Sequence, residues 1–281
     1  MQPNDDSADW IRIRRDPDTG IESVHAHFHG HAYDAHDHDE MLVGVTQQGI
    51  QRFNCHGSVH TSVRGRSILI EPGAVHDGHA PERNGFTYAM LYLPQTWVNG
   101  MTQRLSLGDA SSLQGAFRHT LADDAMLSNM TMRAWQSIHF AEGRLARDES
   151  LDHLISLLSS HLYERPLSIK QDSNNEMARV RDYLHAMMPD NIGLDELAAH
   201  SGIDRFRLTR QFKRAFGQSP HAYLIRLRLR VARALLASGK TAAEVASEVG
   251  FADQSHLGLW FRRAYRLTPA DYQRQCTNLT D

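Results

Sequence analysis

The chain has 281 residues, of which 41% are hydrophobic and 22% charged, and its net charge is −3. That length suits two domains of roughly 100 to 200 residues each, and that composition excludes a disordered or fibrous chain. The opening MQPNDDSADW has three aspartates and no apolar run, which excludes a signal peptide. No later stretch approaches the roughly 20 apolar residues of a membrane span, so a cytoplasmic protein with no membrane contact is expected.

The small net charge hides a division. From Glu176 onward there are 16 Lys/Arg against 11 Asp/Glu, whereas the preceding 175 residues hold 14 against 22. A basic carboxy-terminal part carried by an acidic partner fits nucleic-acid binding, because neutralised phosphates supply most of non-specific DNA affinity. Cys55 and Cys276 are far apart and lack finger spacing. They read as plain thiols rather than a disulfide framework or a structural zinc site.

In chain order, residues 10 to 100 alternate short apolar runs with Gly, Asn and Pro: MLVGV (41 to 45), IQRF (50 to 53), SILI (67 to 70) and TYAMLYL (87 to 93). That rhythm predicts an all-β barrel or sandwich of short strands. From 101 to 164 glycines thin out, and Leu151, Leu154, Ile155, Leu158 and Leu162 recur at helical spacing. The stripe needs a partner, either its own barrel or a second subunit. The run at 165 to 175 has connector composition. The remainder, 176 to 281, reads as all-helical, with starts at Asp204, Pro220, Thr241, Asp253 and Thr268-Pro269, and stops at Gly217 and Ser238-Gly239.

This last region contains a repeat. Leu208, Phe212, Phe216, Pro220 and Tyr223 recur 49 residues later as Leu257, Phe261, Tyr265, Pro269 and Tyr272. Upstream, Ala198 and Gly202 recur 48 residues later as Ala246 and Gly250, so one residue is inserted in the second turn. A small Ala, a Gly four residues on and then an amphipathic helix is the layout of a helix-turn-helix. With Leu208, Phe212 and Phe216 facing in, Arg205, Arg207, Thr209, Arg210, Lys213 and Arg214 face out. In the second copy Gln254, Ser255, His256, Arg262 and Arg263 do the same. Arg reads guanine edges or phosphates and Gln reads adenine, so double-stranded DNA is the expected partner. The intervening HAYLIRLRLRVARALLAS (221 to 238) predicts a long helix that fixes the two units relative to each other. Recognition helices about 34 Å apart would enter successive major grooves.

Residues 176 to 275 resemble the DNA-binding domain of the AraC/XylS transcription regulators, most specifically in AAEVASEVGFADQSHLGLWFRRAYRLTPADY (242 to 272). The resemblance implies base contacts from Phe206, Thr209 and Arg210 in the first unit and from Gln254, Ser255 and His256 in the second. It also implies contact with RNA polymerase. Leu259 stands where the family commonly has a basic residue, which places more of the sequence reading on the first unit.

The segment 31 to 78 is similar to the cupin-like sensor barrel of AraC-type regulators in His36-x-His38, in Gly49 at a strand turn and in Pro72-Gly73-x-x-His76. The resemblance implies a two-domain fold: an amino-terminal all-β cupin-like barrel followed by helices, then an all-α double helix-turn-helix. It further implies a small-molecule effector in the barrel, a homodimer formed through helices in 101 to 164, and no enzymatic activity. Ten of the eighteen histidines lie between His25 and His79. Alternation would turn His36 and His38 to one face, where His76 joins them. These three are candidate metal ligands, with Glu40 as a fourth, or hydrogen-bonding groups for an organic effector. Glu40 follows His38 sooner than the Glu of catalytic cupins does. Glu71 and His76 form a further candidate pair for a polar ligand. His25, His27, His29 and His31 read as a polar strand face or turn. A metal-responsive regulator and a metal-dependent cupin enzyme fused to a DNA-binding tail are the alternative readings.

Overall fold

The computed structural model describes residues 9–104, 117–162 and 175–277. The expected connector falls almost wholly at 165 to 174, outside the described residues. The chain forms two compact units, one built chiefly from residues before 168 and the other chiefly from residues after it.

The amino-terminal unit is a β structure, as expected. Its strands are β1 (Trp10–Arg15), β2 (Glu22–Phe28), β3 (His31–His36), β4 (Met41–Cys55), β5 (Ser58–Val63), β6 (Ser67–Ile70), β7 (His76–His79), β8 (Phe86–Leu93) and β9 (Leu121–Ala122). The main path runs β1-β2-β8-β4-β6-β9; β5 and β7 join β4, and β3 joins β7. All these pairings are antiparallel.

Strand β4 explains the architecture. Its first half, Met41–Val45, lies between β6 and β8, while Ile50–Cys55 pairs with β5 and touches β7. MLVGV and IQRF, expected as separate strands, are therefore one bent strand, with an irregularity between Thr46 and Gln48. Gly49 does not sit at a turn between strands. Its φ is +72°, and a Cβ there would lie 2.1 Å from the carbonyl oxygen of Gly85, so the bend needs both left-handed backbone and close approach.

Period-two alternation splits these strands between two cores. Met41, Val43, Leu69, Ala89 and Leu91 face the helices, whereas Leu42, Ile68, Ile70, Tyr88 and Met90 face the interior with Phe28, Phe53 and Phe86. Apolar residues continue along TYAMLYL because both faces are covered.

Three helices pack on the outer face: α1 (Gln95–Arg104), α2 (Ala125–His139) and α3 (Arg144–Ser159). Helix therefore begins six residues before the expected boundary at 101, and β9 interrupts the stretch expected to be helical. Asp124 caps α2, accepting hydrogen bonds from the amides of Met126 and Leu127. Leu151, Leu154, Ile155 and Leu158 are all buried with Trp135 and Ile138 in the core beneath the sheet. These four residues of the stripe are thus packed within the subunit.

The helices that follow are α4 (Asn175–Ala186), α5 (Leu194–Ser201), α6 (Arg205–Phe216), α7 (Pro220–Ala237), α8 (Ala242–Val249), α9 (Gln254–Tyr265) and α10 (Pro269–Thr277). Their ends match the sequence signals. Ser219 accepts from the Ala222 amide ahead of Pro220, Thr241 and Glu244 form a capping box, and Gly217 closes α6 at φ +73°. Among the described residues no helix is long and apolar enough to cross a membrane.

Candidate nucleic-acid interface and ligand site

Helices α5–α6 and α8–α9 form the two helix-turn-helix units, each turning at a left-handed glycine: Gly202 at φ +69° and Gly250 at φ +85°. Asp204 starts α6 by accepting from the amides of Phe206 and Arg207. Asp253 accepts from the His256 amide at the start of α9, 2.8 Å away. In α6, Leu208 and Phe212 are buried with Met177, Val180, Leu197 and Leu224. That burial leaves Arg205, Phe206, Arg207, Arg210, Lys213 and Arg214 exposed on the other side.

Phe206 is 69% exposed, and the Arg205 guanidinium lies 5.2 Å above its ring while also pairing with Asp195. Thr209 is half-buried, and its hydroxyl donates to the Arg205 carbonyl, which leaves its methyl as the group available to a base. In α9, Leu257 and Phe261 are buried while Gln254, Ser255, His256, Arg262 and Arg263 are exposed. His256 Nε2 accepts a hydrogen bond from Trp260 Nε1 at 3.0 Å, which orients its ring. Leu259 is 58% exposed.

Helix α7 ties the units together through a residue that the sequence reading missed. Arg228 is buried; its Nε donates to the Met188 carbonyl at 2.9 Å and its Nη2 to the Asp190 carbonyl at 2.7 Å. Its guanidinium also lies 5.9 Å from the ring centre of Phe251, just after the second turn. One side chain thus clamps the segment before the first helix-turn-helix to the turn of the second. Burial lowers its pKa. The available signal was the spacing in RLRLR: at about 100° per residue, arginines at 226, 228 and 230 cannot share one solvent face.

In the amino-terminal unit the structure brings together three of the five candidate ligand residues. His36 and His76 lie directly opposite each other across β3 and β7, and His38 follows just beyond β3. All three are buried, and one nitrogen from each ring lies within 4.8 Å of the others. The His36 ring centre is 4.8 Å from that of His38 and 4.7 Å from that of His76. Tyr33 and Tyr92 flank the group edge-on.

Glu40 and Glu71 are not part of this cluster. Glu71 lies 2.7 Å from His56 Nε2, so it does not form the expected pair with His76. The hairpin turn between β4 and β5, with φ +52° at His56 and +73° at Gly57, carries His56 there. Hydrogen bonds with the side chains of Cys55 and Glu71 push the His56 pKa up to about 10.

The earlier histidines are packed rather than merely polar. His25 meets Trp10 and Trp135 edge-on at 4.8 and 5.0 Å and bonds Gln47. His27 bonds Thr87 and His29 bonds Asp9, while exposed His31 bonds Asp34. His139 stacks on Trp135 at 4.4 Å and bonds Ser23. Burial, reinforced by the charges of His25, Arg14 and Arg12, brings the His139 pKa down to about 4. A separate cleft of about 330 Å³ between the β1–β2 turn and the α2–α3 connection includes Arg147. There Asp16, Asp18 and Asp148 surround the guanidinium, so the cleft is an ion-pair clasp.

Comparison with known proteins agrees with both halves. Residues 18–164 match the AraC-like ligand binding domain and residues 197–275 match a helix-turn-helix domain. The HTH-type transcriptional regulator YbfI of Bacillus subtilis (strain 168) is 24% identical over 249 residues, covering 87% of this chain and 88% of its own. The HTH-type transcriptional activator RhaS of Escherichia coli O139:H28 is 25% identical over 249 residues, covering 85% and 86% respectively. The fold is also that of ToxT from Vibrio cholerae strain SCE256, solved with an unsaturated fatty acid bound. That likeness has a TM-score of 0.57 at 13% identity and covers 100% of each chain. The chain belongs to the AraC family of helix-turn-helix transcriptional regulators, which are not enzymes, and it carries that family's AraC-like ligand-binding domain at its amino-terminal end.

Proposed function

We propose that this regulator reads a two-part DNA site with α6 and α9, and that a small molecule held in the amino-terminal unit changes that reading. The observation that carries the DNA half is the outward face of α6. Four cationic side chains and an exposed phenylalanine surround the Thr209-Arg210 pair, on a helix whose opposite face is buried. Arg210 is suited to a guanine edge, and Phe206 and the Thr209 methyl to thymine methyls. Gln254, Ser255 and His256 occupy the tip of α9, while Arg262 and Arg263 lie further along as phosphate contacts. Arg205, Arg207, Lys213 and Arg214 have that role in α6.

The effector half is supported by buried polar groups in a small β interior, where an apolar core would otherwise be the stable choice. ToxT, with a related fold, has been solved with an unsaturated fatty acid bound. His36, His38 and His76 are the contacts we assign to such a ligand. Control requires that the effector bind two arrangements of the regulator with different affinity. Contact with RNA polymerase and homodimerisation belong to the same reading. With the α3 stripe buried, a dimer would use other surfaces, such as those bearing exposed Met126, Phe140 and Leu145.

The test is quantitative binding to DNA fragments from the host genome. A fragment bound far more tightly than random DNA at fixed salt, with an affinity that a cell extract or candidate effector shifts in wild type but not in His38→Gln, is the expected result. Equal binding to all fragments would overturn the reading.

A further inference from the structure

Three buried imidazoles gathered from two chain segments are an unusual content for a β interior, and their hydrogen bonding gives them a direction. His36 Nδ1 lies 2.7 Å from the carbonyl oxygen of Asp34, and His76 Nδ1 lies 3.0 Å from that of Ala74. A carbonyl oxygen can only accept, so both Nδ1 atoms carry the proton and the Nε2 lone pair is the basic atom of each ring. Tying one ring nitrogen to a backbone carbonyl is how proteins orient a metal-ligating histidine and raise its basicity.

We propose that His36, His38 and His76 form a three-imidazole site for a divalent first-row transition metal, with at least one position left for water or a donor atom of the effector. Tetrahedral coordination with bonds of about 2.1 Å sets the nitrogens about 3.4 Å apart. Starting from nitrogens within 4.8 Å of one another, the rings reach that spacing by swings of about an ångström. An all-nitrogen set suits zinc, nickel, cobalt, copper or iron and disfavours magnesium and calcium, which take oxygen ligands. Glu40 lies outside the converging group, so among the described residues three ligands converge rather than four. Three ligands with an open position is the arrangement of a site that binds something further.

This inference deepens the reading of the same rings as the effector site and rests on it only for what the metal does at DNA. Full-length protein, stripped with chelator and repurified, is titrated with cobalt(II) and then zinc. The expected result is one cobalt per chain with the visible bands of a low-coordinate ion, displaced by one equivalent of zinc. His38→Gln and His76→Gln should each weaken binding by at least about tenfold, and exposed His153→Gln should leave it unchanged.

Absence of cobalt bands and of zinc binding at micromolar concentration by the wild type would overturn the proposal whether or not the variants fold. So would wild-type affinity in the His38→Gln/His76→Gln double variant. The two readings fail separately. Metal binding that leaves operator affinity unchanged keeps the site and removes its regulatory role, whereas an organic effector that acts on metal-free protein keeps the regulation and removes the metal.

Discussion

The two helix-turn-helix units share a sequence pattern but not a packing environment. Gly202 and Gly250 both close a helix with left-handed backbone, yet a Cβ on Gly202 would meet nothing within 4 Å. On Gly250 it would sit 2.3 Å from the Pro189 carbonyl oxygen and 2.9 Å from Arg228. Ala198 is half-buried while its counterpart Ala246 is fully buried, and Tyr223 is half-buried while Tyr272 is 1% exposed. The second unit is wedged into the body of its domain; the first is held more lightly. Their recognition faces differ as well. A 49-residue shift maps Lys213 and Arg214 onto Arg262 and Arg263, keeping the cations, but it maps Arg210 onto Leu259 and Thr209 onto Gly258. Two cations are thus kept in both copies, while the Thr-Arg pair to which the proposed function gives the base reading is present in the first alone.

Substitutions can break that contrast at several levels. Gly250→Ala combines left-handed strain with a backbone clash and should cost roughly 2 to 5 kcal/mol, whereas Gly202→Ala should cost about 1 to 2 kcal/mol from strain alone. Chemical denaturation of the two variants side by side checks this, and equal losses would remove the wedge. Arg228→Met deletes two charge-assisted hydrogen bonds to carbonyls and should lower stability by roughly 2 to 3 kcal/mol. It should also loosen one unit relative to the other, measurable as weaker binding to a complete operator with little change on a half-site.

Arg210→Ala should lower specific DNA affinity by about 1 to 3 kcal/mol and relax one base preference, while Arg262→Ala should weaken all sequences alike and reduce the salt slope by about one. A further effect concerns the amino-terminal unit. Because His139 titrates near 4 when folded and near 6.5 when unfolded, the unfolded chain takes up its proton first on acidification. The stability tied to neutral His139 is whole above about pH 6.5 and is lost as pH falls toward 4. In His139→Asn the unfolding midpoint, followed by tryptophan fluorescence, should fall less steeply across that window.

The helical half was largely legible because its signals are local. Starts at Asp204, Pro220 and Thr241, the stop at Gly217 and the turns at Gly202 and Gly250 need only neighbouring residues to act. The convergence of His36, His38 and His76 was also legible, since alternation and the cupin-like resemblance both bring the segments together. What escaped depends on distant partners. Glu71 went to His56 because a hairpin turn delivered that ring. Arg228 was missed because nothing in its own helix names the carbonyls at 188 and 190. The α3 stripe could equally have served a second subunit, since periodicity defines an apolar face but not what covers it.

The central claim is a two-part DNA reading with unequal halves. It is tested most directly by selecting binding sites for the full-length protein from randomised DNA and repeating the selection with Arg210→Ala. The account predicts two motifs about one helical turn apart, the better-defined one degrading at a single position in the variant while the other persists. Selection of no motif, or an unchanged motif with Arg210→Ala, would contradict it.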